Sequence, residues 1–514
     1  MKAQERFRSN GEGAIETVSH KWSKRESDAA GDFIHLFLAG LAMFAYFASL
    51  SVSLRDGDTS WHIAAGKWII KHRAIPSTDP FSYTFLGKPW APHEWLSEVF
   101  MYAAWQFGGW PAILVMFAAL GGLLIVTLTL YVRRWMPFPT ALIPVSLCFV
   151  GLLSHCLARP HIFGWTMLAI WLVGLLRARD LNRAPSLWMA LLMVFWANLH
   201  GSFLLGLALI APLALEALLA AERENRVQVF TGWAPFALIS LIASLATPQG
   251  IDGLIFPLFV SAMKTLPYIS EWKATDFAEI SVFEFVLLTG LFFCLYKPVR
   301  VPVLRLLVLL GFLHFAFAHS RHQPIFLILS CLLLASPLAV AYRPEAGEDI
   351  RPVDLSRLFS PENLPLIAVM FALASGVSIS SAVLNTQRPD SYGVPQKAIA
   401  NIPSALRNKP VLNEYSFGGT LIQNGIPVYI DGRADVYGDT FITDYVKMIE
   451  EGDLKRWDVA RRKWDIQWTI LPPDKPLVKW LDHQPDWIRV YADKWAVIQA
   501  RKSALDSENQ SRTR

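Results

Sequence analysis

Arg55-Asp56-Gly57-Asp58 puts two carboxylates two residues apart. Such a pair can hold a divalent cation, or one member can act as general base while the other orients it, since both tasks need an anion beside a positive or polarised partner. Asp58-Thr59-Ser60 also precedes an apolar periodic segment, which suits Asp58 as a helix N-cap. Asp56 is therefore the first choice for a reacting carboxylate, with Asp58 beside it. Pro92-His93-Glu94-Trp95 supplies a further carboxylate and an imidazole, although Glu94 equally suits the first turn of a helix, where the dipole favours an acid. Arg159, His161, Arg321 and His322 offer donors for a phosphate, because guanidinium binds phosphate through paired hydrogen bonds. His62, Asn198, His200, His319, Glu271, Lys273 and Asp276 complete the unusual polar set. Taken singly, each serves as well as a helix cap or a polar residue meeting interfacial water; the argument lies in their joint placement.

What places them together is a membrane. The chain has 514 residues, 53% of them hydrophobic and 17% charged, with a mean hydropathy of +0.34, too apolar for an ordinary soluble enzyme. Apolar runs near the ~20 residues that cross a hydrocarbon core recur at Phe33–Leu54, Ala112–Tyr131, Ala141–Leu157, Ile162–Leu176, Leu187–Leu199, Ser202–Ala221, Trp233–Ala246, Val282–Tyr296, Val303–Phe317, Pro324–Ala341 and Leu364–Leu384. They predict about eleven spans, with the chain ends on opposite sides. Lys2, Arg6, Arg8, Lys21, Lys24 and Arg25 load the amino-terminal tail. Alternate loops carry Arg133/Arg134, Arg177/Arg179/Arg183, Arg223/Arg226, Lys297/Arg300 and Arg343/Arg351/Arg357, so that side is cytoplasmic. Every polar residue singled out above then falls outside. Ionisable groups near membrane depth are costly and mark a site or a watered cavity, so one outer interfacial site is the common cause.

The first apolar run is too long for a signal-peptide core and is expected to remain as an anchor. Cys148, Cys156, Cys294 and Cys331 lie in or beside apolar runs, with neither metal-ligand spacing nor a disulfide framework. The net charge of +5 is accounted for by the cytoplasmic loops, leaving no nucleic-acid surface. In the outer loop, Trp61, Ala64, Ala65, Trp68 and Ile69 recur at helical spacing over Thr59–His72 and predict a helix on the membrane surface. Glu94–Phe107 reads as a second helix, interfacial or tilted, stopped by Gly108-Gly109. A full span there would turn the Arg-rich loops outward. Beyond Asn385 the chain becomes polar. Val411–Asn413, Gly418–Gln423, Val428–Ile430 and Thr469–Leu471 read as short strands alternating with helices, and Trp487–Tyr491 with Trp495–Gln499 as a hairpin. Asp431-Gly432-Arg433-Ala434-Asp435 suits a turn whose Asp and Arg pair, or a contact with an acceptor.

An acidic turn after the first span, a large outer loop, a multi-span body and an outer carboxyl-terminal domain resemble the GT-C glycosyltransferases. Asp58-Thr59-Ser60-Trp61-His62-Ile63-Ala64-Ala65-Gly66-Lys67-Trp68, Thr78-Asp79-Pro80-Phe81-Ser82-Tyr83-Thr84, His93-Glu94-Trp95-Leu96, Arg159-Pro160-His161, Asn198-Leu199-His200-Gly201 and Tyr429-Ile430-Asp431-Gly432-Arg433-Ala434-Asp435 are similar to a large bacterial group of multi-span membrane proteins. The resemblance implies a polytopic α-helical fold of about eleven helices with interfacial helices in the first outer loop, and a small α/β domain outside the membrane. It divides the chain into a cytoplasmic tail (1–31), a membrane domain (32–384, outer loop 55–110) and a periplasmic domain (385–514). It also implies a bacterial inner-membrane enzyme that moves a sugar from a polyprenyl-phosphate-linked donor to an envelope glycan, lipid or protein acceptor. Asp56, Asp58 and Glu94 would be catalytic. His62, His93, Arg159, His161, His200, Glu271, Arg321 and His322 would bind substrate, and Mg²⁺ or Mn²⁺ would be held, if at all, by Asp56 and Asp58. The rival readings are a flippase of lipid-linked saccharide, which predicts internal pseudo-symmetry, and a non-catalytic scaffold of envelope polysaccharide assembly, which would tolerate loss of Asp56.

Overall fold

The computed structural model describes residues 29–49, 51–342, 358–361 and 363–505. The basic residues expected in the amino-terminal tail, and Arg343, Arg351 and Arg357, lie outside the described residues.

Every one of the eleven apolar runs is built into a helix. In order they are α1 (Ala29–Ser49), the surface-helix candidate α2 (Asp58–His72), α3 (Trp95–Val132), α4 (Phe138–Leu152), α5 (His161–Asp180), α6 (Leu191–Leu199), α7 (Phe203–Ala220) and α8 (Arg226–Ser244). They continue with α9 (Ile251–Ser261), α10 (Val282–Tyr296), α11 (Val303–Ala318), α12 (Gln323–Leu333), α13 (Ala335–Tyr342) and α14 (Leu364–Leu384). The chain is thus a multi-pass membrane protein: among the described residues six helices are long and apolar enough to cross, and seven if the pair Ser320–Leu333 and Ala335–Tyr342, bent by 48°, is one span. By length this falls short of the count expected from the runs. At ~1.5 Å per residue, the 15 residues of α10 reach only about 22 Å of a ~30 Å hydrocarbon layer. Helix α9 lies inside what the sequence presents as a loop between Thr247 and Ser281.

Glu94–Phe107 is helical as expected and is separated by a kink from the span that follows, the two together making up α3. Gly108 and Gly109 break that helix, Gly109 at φ 62°, a conformation open to glycine and strained for other residues.

Both ends of the bundle gather ionic groups. Near the end of α7, Glu216 receives two bonds of 2.9 Å from Arg305, in the first turn of α11, and Arg179, at the end of α5, lies 3.2 Å away. At the opposite ends of α5 and α11 stand Arg159 and Arg321. Arg179, from one of the Arg-rich loops, therefore lies at the end of the bundle opposite Arg159 and Arg321.

The carboxyl-terminal region folds around a four-stranded sheet of β1 (Val411–Asn413), β2 (Trp468–Leu471), β3 (Trp487–Ala492) and β4 (Val497–Arg501), in the order β1-β2-β4-β3. β1 runs parallel to β2, and β4 is antiparallel to both its neighbours. Gly418–Gln423 is the helix α15, whereas Val428 makes only a single bridge, to Ser82 of the outer loop. Tyr83 N–H donates to Val428 O at 3.1 Å, and Thr84 Oγ1 donates to Tyr429 O at 2.7 Å. Trp61, Ala65, Trp90, Met263, Leu266 and Trp272 join the same apolar core as Leu412, Phe417 and Ile470. The outer loops and the terminal domain are one packed unit above the bundle.

Candidate active site

The acidic turn is gripped from both sides. Arg388, just past α14, is buried and donates to Leu54 O at 2.6 Å, to Ser60 Oγ at 2.5 Å and to Asp56 O, while its guanidinium lies 4.7 Å from the ring centre of Trp110. Gly57 sits so close to the backbone carbonyls of Ser416 and Gly393 that a β-carbon there would collide with both. Asp58 is the first residue of α2, with Gly57 as the N-cap. The expected cap role of Asp58 thus passes to Asp56, whose Oδ1 accepts from the Asp58 amide at 3.0 Å.

Arg159 binds three carboxylates at once. Its Nη2 donates to Asp56 Oδ1 at 2.8 Å and lies 2.6 Å from Asp58 Oδ2. Its Nη1 lies 2.9 Å from Glu271 Oε2, and its Nε pairs with Asp56 Oδ2. Glu271 in turn lies 3.6 Å from Arg321 Nη1, and the Arg321 guanidinium stacks 4.2 Å from the centre of Trp272. Burial pushes the Asp58 carboxyl up to about 7; Arg159 opposes this, and Asp56, Glu271 and Asp431 add to it. Burial would also raise Glu271, but Arg159 and Arg321 outweigh it and hold that carboxyl at about 2. Burial pulls Arg388 down to about 9.

A divalent cation does not fit this arrangement. The guanidinium already occupies the space between the carboxylates, and among the described residues no group of three or more His, Cys, Asp or Glu side chains is placed to hold a metal ion.

A second cluster adjoins the first. Glu94, the N-cap of α3, faces the Nε2 atoms of His200 at 3.3 Å, His93 at 3.6 Å and His62 at 3.9 Å. These rings come from the turn before α7, the outer loop and α2. Their other nitrogens are engaged where His62 Nδ1 meets Glu98 Oε1 at 3.4 Å and His200 Nδ1 meets Ser202 Oγ at 2.8 Å. Burial lowers His62 to about 3 and His200 to about 4. His93 is also buried, but contact with Glu94 raises it above its ordinary value. Burial opposes ionisation of Glu94, yet His93 and His200 hold it well below the usual carboxylate range. The cluster therefore sets Glu94 against His93, whose protonated form it favours, beside two imidazoles that burial keeps neutral.

Nine of the eleven residues singled out for a site thus assemble: Asp56, Asp58, Arg159, Glu271 and Arg321 in one group, Glu94, His62, His93 and His200 in the other. His161 and His322 lie beside these groups, His161 within the electrostatic reach of Arg159 and His200 and His322 within that of Arg321, but their ring contacts go elsewhere. The His161 ring turns to His155 O at 3.1 Å, and His322 packs among Trp272, Phe315 and His319.

Asp431 and Arg433 pair as the turn reading expects, and Asp79 completes a buried triad. Arg433 donates to Asp431 at 2.8 and 2.6 Å and to Asp79 at 2.7 Å, so it ties the terminal domain to the outer loop. Gly432 lies against the Asp58 carboxylate, where a β-carbon would collide. Arg388 escaped the sequence reading; its one mark is that it is the first charge after the last apolar run.

No protein-family model and no curated protein matches this sequence. Solved structures do. The Archaeoglobus fulgidus oligosaccharyltransferase, tethered with an acceptor peptide containing the NVT sequon, superposes with a TM-score of 0.51 at 13% identity, over 84% of this chain and 68% of that one. ArnT from Cupriavidus metallidurans in the apo state gives 0.50 at 15% identity, over 93% and 99%. The fold is GT-C-like. ArnT bound to undecaprenyl phosphate aligns at 0.48 and 16% identity, over 91% and 98%. Because the apo ArnT superposition takes in 93% of the chain, the GT-C-like fold includes the terminal domain as well as the bundle, and the acidic turn lies at their junction.

Proposed function

We propose that this protein is a membrane glycosyltransferase that moves a sugar from a polyprenyl-phosphate-linked donor to an envelope acceptor at the outer face of a bacterial inner membrane. In this reading the chain crosses about eleven times, with the amino terminus cytoplasmic and the terminal domain periplasmic. The observation that carries it is the chain of ion pairs that runs from Asp56 and Asp58 through Arg159 and Glu271 to Arg321, which among the described residues makes one ion pair, at 3.6 Å, where bundle and terminal domain join.

The geometry favours Asp58 over Asp56 as proton acceptor. Both Asp56 oxygens are taken by Arg159, which suits it to orient, whereas Asp58 titrates where a general base is most effective. Asp58 takes the acceptor hydroxyl proton as the acceptor oxygen bonds the anomeric carbon. The bond from that carbon to the phosphate oxygen breaks, and polyprenyl phosphate leaves with its charge received by Arg321. Arg159 is saturated by carboxylates and serves to fix them. The Glu94 group, next to the site, positions the acceptor.

The test is the lipid-linked and envelope glycan profile of cells lacking the protein, complemented with native chain, Asp58→Asn or Asp56→Ala at equal membrane level. Only the native chain should restore the missing sugar. Full restoration by both variants would end the enzymatic reading and leave a scaffold.

A further inference from the structure

We infer that Arg159 is the built-in cation of this site, occupying the position of a divalent ion, so that the site works without metal and becomes a metal site only when Arg159 is removed. This rests on the proposed site but not on sugar transfer.

Asp56, Asp58 and Glu271 come from three parts of the chain: the turn after α1, the start of α2 and the loop before α10. Sequence proximity therefore explains only the first two. Each still ends an oxygen on the same guanidinium, at 2.8 Å for Asp56 Oδ1, 2.6 Å for Asp58 Oδ2 and 2.9 Å for Glu271 Oε2. The Arg159 side chain is only 18% exposed, and those of Asp56 and Asp58 10% and 17%, so water does little to screen those two pairs, while Glu271 at 35% is the more solvated member. Oxygens of Asp56 and Asp58 meet Nη2 and one of Glu271 meets Nη1, hard anionic donors of the kind a divalent cation takes, although with Arg159 between them they form no metal-holding group. Here a positive charge fixed to the end of α5 already fills the space between them, and a second cation would have to enter against it. Unlike a bound ion, a guanidinium cannot be chelated and does not lose its proton at any working pH. With Arg159 gone, the same oxygens would face an open, strongly negative space.

The experiment titrates Mn²⁺ into purified, detergent-solubilised full-length protein and follows the free-ion signal by electron paramagnetic resonance. It compares the native chain, Asp56→Asn, Arg159→Gln and Arg159→Gln/Asp56→Asn. The native chain and Asp56→Asn should bind Mn²⁺ equally weakly. Arg159→Gln should gain one site at least about tenfold tighter, and the double variant should lose it. Native protein that binds a Mn²⁺ ion removed by Asp56→Asn overturns the inference. So does an Arg159→Gln protein with native gel-filtration behaviour that binds no more tightly than the native chain. If Arg159→Gln does not fold, the native and Asp56→Asn titrations decide alone. None of these readouts needs a sugar donor, so failure here is separable from failure of the glycosyltransferase reading.

Discussion

Replacing Asp58 by Asn should abolish transfer and, at neutral to basic pH, make the protein more stable. Burial raises this carboxyl from 3.8 to about 7, so the folded state holds its proton more tightly than the unfolded chain does. For an acid shifted this way the folded state loses stability as pH rises from the unfolded value, and the loss is complete above the folded value. A shift of about three units corresponds to ~4 kcal/mol in full, of which ~2–3 kcal/mol falls between pH 5 and pH 8. Asn has the same shape and cannot ionise, so it escapes this loss. Its weaker contact with Arg159 adds a nearly constant offset that cancels between the two pH values. Thermal denaturation in detergent, followed by tryptophan fluorescence at both pH values, should show the variant gaining on the native protein at pH 8 relative to pH 5. A gap that stays constant, or that moves in favour of the native protein at pH 8, refutes the assignment of a raised Asp58. In the native enzyme, transfer should rise with pH through about 7 and then level off.

Gly432→Ala should push the Asp58 carboxylate off Arg159 and cut transfer at least about tenfold while membrane level and melting change little, measured as transfer in membranes normalised to protein. Arg433→Met strands the buried Asp79 and Asp431 charges and should cost ~3–5 kcal/mol, visible as loss of folded protein on gel filtration. Arg321→Ala should weaken use of the lipid-linked donor, with the larger change in KM if Arg321 binds donor phosphate in the ground state and in kcat if only in the transition state. Arg388→Ala removes three charged hydrogen bonds and should destabilise by ~3 kcal/mol, read as earlier proteolytic release of the terminal domain, with Arg388→Lys intermediate.

Most of the membrane body was legible because its helices announce themselves by continuous apolar runs, whereas α9 sits in a stretch that reads as a loop. That logic placed Arg159, Glu271, Arg321 and His200, up to 162 residues apart, at one end of the bundle. It could not say which of them touch. His161 lies two residues from Arg159, yet its ring turns to a neighbouring carbonyl, a choice made by packing against Trp165 that spacing does not encode. Asp58 looked like a cap because Asp-Thr-Ser before an apolar run usually is one; the helix instead starts one residue earlier than that reading, with Gly57 as N-cap and the Asp58 amide donating to Asp56. Gly108 and Gly109 were legible as a break, and the apolar run from Ala112 as the helix that follows it. Arg388 had no partner visible in the sequence because its acceptors are backbone carbonyls, which every residue possesses.

The grip of Ser416, Gly393 and Arg388 on the acidic turn has a consequence for how such a protein can change over time. The residues expected to do the chemistry belong to one part of the chain, and the surfaces that hold them in place belong to another that begins more than three hundred residues later. Neither part can be exchanged for that of a distant relative without its counterpart. New acceptor preferences should therefore arise by paired substitutions across this seam, and a chimera cut at residue 385 should inherit the specificity of neither parent.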